Sequence, residues 1–200
     1  MVKSPLHGMV LASLFAALMA IGANITTIVP ILVIGSVPIT LQTVVCLLAG
    51  ILLGKKWGPV SMVIYMLIGL AGMPVFAQWT GGVGSLISPT FGFVVSYIAV
   101  AWVIGLMTEK KKSYSILVLA AFVGTAINYL IGTNWMYAAY KLWFAAPEGF
   151  HYGLAWLWML PFVPKDLILA VVAALVSYKV LQAFPETRTR KTSINKPKAV

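Results

Sequence analysis

Asp166 is the residue of this chain best placed to act on a small molecule: a carboxylate beside Lys165, just after Pro164, at the head of an apolar run that continues to residue 182. A charge at the centre of hydrocarbon costs about 2.5 to 3.5 kcal/mol on insertion scales, so a carboxylate this near it needs a role. Two roles fit: acceptor for the N–H groups of a ligand, or helix N-cap after Pro164. The rest of the inventory is thin. There are four carboxylates (Glu109, Glu148, Asp166, Glu186) and two imidazoles (His7, His151), and Glu109 and Glu186 sit beside runs of Lys and Arg. No H-E-x-x-H, G-x-S-x-G or G-x-x-x-x-G-K-[ST] occurs. A small intramembrane enzyme would need an acid and a base facing one cavity, and Asp166 has only a remote His151. Without a P-loop the chain cannot hydrolyse ATP in that manner, so an ATP-driven process would need another subunit. Cys46, the single cysteine, lies in a hydrophobic stretch and reads as a small core residue, which leaves neither a disulfide nor a metal site to argue from.

The elements that must position Asp166 are membrane helices. At 61% hydrophobic and 9% charged, with mean hydropathy +0.98, the chain departs from the roughly 25% charge of soluble domains. A span needs about 20 apolar residues, and hydropathy places spans near 6–23, 39–54, 57–72, 90–107, 113–132 and 165–182. The expectation is an all-α membrane protein, a bundle of six transmembrane helices forming one domain over residues 1–182. The apolar first run continues without a cleavage site, so it is expected to stay as a helix. Segment 153–164, broken by Pro161 and Pro164, reads as an interfacial run with Trp156 and Trp158 in the aromatic belt.

Charge then orients the bundle. Of fourteen Lys and Arg, all but Lys141 and Lys165 fall on one side of this six-span arrangement, which the positive-inside rule makes cytoplasmic together with both termini. Such runs serve topology and anionic lipid contact, worth about 1 kcal/mol per cation, rather than nucleic acid. The basic tail 183–200 is expected to be disordered and cytosolic. The opposite connections, 24–38, 73–89 and 133–164, are nearly free of charge but rich in Gly, Pro, Thr, Ser and aromatics. Apolar, irregular backbone near membrane depth has to be satisfied by protein or by a cavity, so these connections are expected to fold back as a cap over a ligand cavity. In the first span Ala12, Ala16 and Ala20 recur every four residues, a stripe that admits close helix approach, either by a partner or within the bundle.

The stretch from Gly35 to Phe93, with VPITLQT, LAGILLG and the GG…SPT loop, and the later PFVPKDLILA, resemble the BioY family, biotin-binding S components of energy-coupling factor (ECF) transporters. The resemblance covers most of the chain. It implies a six-helix subunit that binds biotin from outside and works with a transmembrane coupling subunit and two ATPases, the Ala stripe being the docking face. Carried over by position, it implies that Gln78, Thr80, Gly81, Gly82, Ser88, Pro89, Thr90, Asn128, Tyr129, Asn134 and Asp166 meet the ligand. The family commonly has Gly before the last-helix Asp and Lys three residues after it, whereas here Lys165 and Leu169 occupy those positions. The cation for the biotin carboxylate would then be Lys165 or Lys141.

Biotin's chemistry suits these residues. Asp166 or Asn134 would accept from its ureido N–H groups, Gly81 and Gly82 N–H groups or the Thr90 hydroxyl would donate to its ureido oxygen, and Phe76, Trp79, Phe93 and Tyr129 would wall its apolar part. Another vitamin of the thiamine or riboflavin class is the alternative ligand, and VPITLQT argues against it. Biotin is cargo here; no cofactor is expected.

Overall fold

The computed structural model describes residues 4–25, 33–34 and 37–184. The basic tail beyond 184 and most of the 24–38 connection therefore lie outside the described residues. Helix α1 spans Pro5–Asn24, α2 Gln42–Leu70, α3 Phe91–Met107, α4 Tyr114–Leu142, α5 Tyr152–Leu157 and α6 Val163–Ala183. Among the described residues, four segments, with α5 and α6 taken together, are long and apolar enough to cross a membrane, and α3 is a shorter apolar helix. Among the described residues, a two-residue antiparallel ladder, Val33–Ile34 with Val37–Pro38, departs from the helical pattern.

Helix α1 starts as its sequence suggests, with Pro5 in the first turn and Ser4 Oγ accepting from the His7 N–H at 3.2 Å. Its small and apolar residues, Ala12, Phe15, Ala16 and Met19, recur every three or four positions and turn inward.

Helix α2 is a hairpin. Gly54 has φ 75° and ψ −176°, a region open essentially to glycine, and the chain reverses there. A Cβ on Gly58 would lie 3.1 Å from Ala49 O, and Gln42 Nε2 donates to Tyr65 Oη at 2.8 Å. A straight helix would hold that second pair about 34 Å apart. The two arms, 42–53 and 55–70, form the centre of the bundle, in contact with α1, α3 and α6. Glycines set the close approaches: Gly50 faces Ala101 O and Ile104 of α3, and a Cβ on Gly105 would meet the Lys55 backbone.

The expected spans agree with the helices to within a few residues except for α4, which runs ten residues past the expected end at 132. The sequence from 133 to 142, TNWMYAAYKL, has no Gly or Pro to stop a helix. Hydropathy reports where the helix leaves hydrocarbon, not where it ends. At 29 residues α4 is about 43 Å long, and its last turns form a second cluster in which Met136 and Tyr140 pack with Phe150, Met159 and Phe162.

Candidate functional site

A cavity of about 500 Å³ lies at the end of the bundle opposite the Gly54 reversal, within the range of roughly 300–1,000 Å³ usual for small-molecule sites. It is built from the start of α2, the 71–90 connection, α3, α4, and the approach to α6.

Asp166 sits in the first turn of α6, 5% exposed. Tyr129 Oη, from α4, donates to its Oδ2 at 2.6 Å. Its Oδ1 is 2.8 Å from Lys165 Nζ, a charge contact without hydrogen-bond geometry, while Lys165 Nζ donates to Thr40 O at 3.0 Å. Two side chains, one from α4 and one from α6 itself, thus meet the carboxylate, and the second is anchored to the residue that precedes α2. A buried ion pair contributes little net stability, and Oδ1 is itself enclosed, with the Lys165 ammonium as its charged neighbour. The capping alternative does not hold: α6 begins at Val163 and the carboxylate turns to Tyr129 and Lys165 rather than to the helix N–H groups.

Around this pair stand neutral hydrogen-bonding groups and aromatic walls. Ser88 Oγ and Thr90 Oγ1 share a hydrogen bond at 2.9 Å, and Asn128 Nδ2 donates to Ser96 Oγ at 2.7 Å. Phe76 meets Phe91 edge to face with ring centres 6.1 Å apart. The 71–90 connection is fastened by two indoles, one in α4 and one just past its end: Trp135 Nε1 donates to Ser88 O at 3.2 Å and Trp143 Nε1 to Ile87 O at 2.8 Å. Near its tip Gln78 and Trp79 both have positive φ, 60° and 58°, strain of order 1–3 kcal/mol for each non-glycine residue.

Of the residues expected from sequence, Gln78, Thr80, Gly81, Ser88, Pro89, Thr90, Asn128, Tyr129, Lys165, Asp166, Phe76 and Phe93 line this one cavity. Three do not. Asn134 lies six residues beyond Asn128, about 240° round the helix, and its amide bonds to Leu130 O and Tyr152 Oη outside the cavity. Gly82 gives its N–H to Gly69 O at 2.7 Å, so that donor is already used. Trp79 is 63% exposed, sent outward by the strained turn. Lys141 is exposed on α4 with its ammonium over the Tyr137 ring and does not line the cavity. His151 Nδ1 accepts from the Leu154 N–H at 3.2 Å at the start of α5, away from Asp166.

The Ala stripe also needs correcting. Ala12 and Ala16 are 0% and 3% exposed, within the core of this same chain, and Ala20 is half-buried against it. Close helix approach occurs, but α2 is the helix that approaches α1.

Thr40, Gln42, Thr43, Tyr97, Tyr140, Phe144 and Phe162 also line the cavity and were not expected. The first three carry a readable signal, a polar Thr-x-Gln-Thr cluster at the mouth of an apolar run. Tyr140 and Phe144 reach the site only because α4 extends beyond its apolar segment.

A family model described as the BioY family matches residues 1–186. Among curated proteins, the chain is 44% identical over 171 residues to the "Putative biotin transporter BioYB" of Bacillus subtilis, covering 84% of each. It is 37% identical over 169 residues to the "Biotin transporter BioY" of Thermotoga maritima, covering 84% of this chain and 92% of that one. Among solved structures, the S-component for biotin from an ECF-type ABC transporter superposes with a TM-score of 0.74 over 91% of this chain and 95% of that one, at 21% identity, a likeness of fold. With the family pattern spanning nearly its whole length and relatives of this identity covering most of it, the chain belongs to the BioY family.

Proposed function

We infer that this chain is the biotin-binding S component of an ECF uptake transporter, capturing biotin at the outer face of the cell membrane. The observation that carries this reading is the buried Asp166 carboxylate, held by Tyr129 and Lys165 at the wall of a cavity of ligand size. In this reading Asp166 takes the ureido N–H groups, while Thr90, Ser88 or the Gly81 N–H donates to the ureido oxygen. Phe76, Phe91, Phe93 and Tyr97 hold the thiophane ring and alkyl chain. Nanomolar affinity is about −12 kcal/mol, or about 0.75 kcal/mol for each of about 16 ligand atoms, below the ~1.5 ceiling.

Residues 1–182 act as one membrane domain with six crossings: α1, both arms of α2, α3, α4 and α6. The even count and the cation bias put both termini in the cytoplasm, the cavity outside, and the 71–90 and 143–162 connections over it as a cap. Energy for transport comes from a coupling subunit and two ATPases, since the sequence has no P-loop. With Ala12 and Ala16 enclosed, these partners dock on other surfaces. Mass spectrometry of the purified protein tests the ligand: co-purified biotin supports the reading, and co-purified thiamine or riboflavin would replace it.

A further inference from the structure

We propose that Asn24, the last residue of α1, is a positioning residue that holds the ligand-facing tip of the 71–90 connection in its working shape. Asn24 is 2% exposed and is absent from the cavity wall. Its carboxamide is used at both ends. Nδ2 donates to Ala20 O at 3.0 Å within α1 and to Val75 O at 3.3 Å across to the connection, and Oδ1 accepts the Trp79 N–H at 2.8 Å. These two carbonyls and one N–H set the orientation of the amide.

What Asn24 grips is the reversal between Phe76 and Thr80, closed by the Phe76 N–H to Thr80 O at 3.0 Å. Its successive residues Gln78 and Trp79 both stand at positive φ, and neither is a glycine that would adopt such a turn freely. The turn therefore needs an outside hold, and the amide of its second strained residue is the group Asn24 engages. Gln78, immediately before, lines the cavity. The Val75 carbonyl that Asn24 holds also accepts from Tyr65 Oη at 3.0 Å, and Tyr65 Oη accepts from Gln42 Nε2 at 2.8 Å. Gln42 lines the cavity too. Asn24 thus sits behind both glutamines, joining the outer end of α1 to the binding surface without touching the ligand.

The proposal rests on the biotin reading for its affinity readout and stands apart from it in a second readout. Biotin is titrated into the detergent-purified full chain as wild type, Asn24→Ala, Trp79→Gly and the double variant. Asn24→Ala should weaken binding about tenfold in the Trp79 background and less than about threefold in the Trp79→Gly background, where glycine removes the strain at the residue whose amide Asn24 holds. Equal losses in both backgrounds would mean that Asn24 only packs the end of α1, and would overturn the proposal. Amide hydrogen exchange without ligand supplies the second readout. The Trp79 amide should exchange at least tenfold more slowly in wild type than in an unstructured peptide of the same sequence, and should lose that protection in Asn24→Ala. Fast exchange in wild type overturns the proposal even if Asn24→Ala fails to accumulate. Absence of biotin binding in wild type with a protected Trp79 amide would overturn the ligand reading and leave the positioning role standing.

Discussion

Tyr129 Oη and Asp166 Oδ2 are 2.6 Å apart across the α4–α6 interface, so one hydrogen bond both sets the carboxylate's direction and joins two helices of the cavity wall. Asp166→Asn is expected to weaken biotin binding at least tenfold, because a carboxylate acceptor bonds more strongly than a neutral amide. Tyr129→Phe removes a bond to a charged group, about 1.5 to 3 kcal/mol, and should give a loss of similar size. Isothermal titration checks both, and unchanged dissociation constants would reduce the pair to a structural contact.

Lys165 separates two accounts of the missing family cation. Its ammonium is engaged with Asp166 and with Thr40 O, so Lys165→Ala should cost biotin and an uncharged biotin amide equally, within about threefold, through the orphaned carboxylate. A loss tenfold greater for the acid would assign Lys165 to the ligand carboxylate instead.

On α1 the burial pattern predicts opposite outcomes for neighbouring substitutions. Ala16→Trp overfills the core where Ala16 is 3% exposed, and overpacking costs typically 1–3 kcal/mol or more. It should lower the thermal midpoint and the yield of monodisperse protein. Leu14→Trp, at a position 52% exposed, should leave both unchanged.

The helical, membrane-type character of the chain was legible because long apolar runs and the KK and KKK punctuation between them survive any detail of packing. The Gly54 reversal was legible too, as GKKW between two runs. What was not legible needed the third dimension. Asn128 and Asn134 look equivalent on paper, and only the helix phase of α4 turns one inward and the other away. Trp79 and Gln78 are adjacent, yet the positive-φ turn sends the indole out while Gln78 lines the cavity. The Ala stripe signalled close packing correctly, but spacing alone does not name the neighbour.

Cys46 is fully buried, which gives a quiet background for a topology test with membrane-impermeant thiol reagents. Cysteine at Ser85, on the 71–90 connection, should label from outside in intact cells, and cysteine at Lys56, beside the Gly54 reversal, should label only after permeabilisation. The reverse pattern would invert the bundle in the membrane.

The central claim is that this cavity holds biotin, and isothermal titration of the ligand-free chain in detergent addresses it most directly. The account predicts one site per chain with a dissociation constant in the nanomolar range, about −12 kcal/mol, and at least a tenfold loss in Asp166→Asn. No saturable heat with biotin, in protein whose fold is intact, would contradict it.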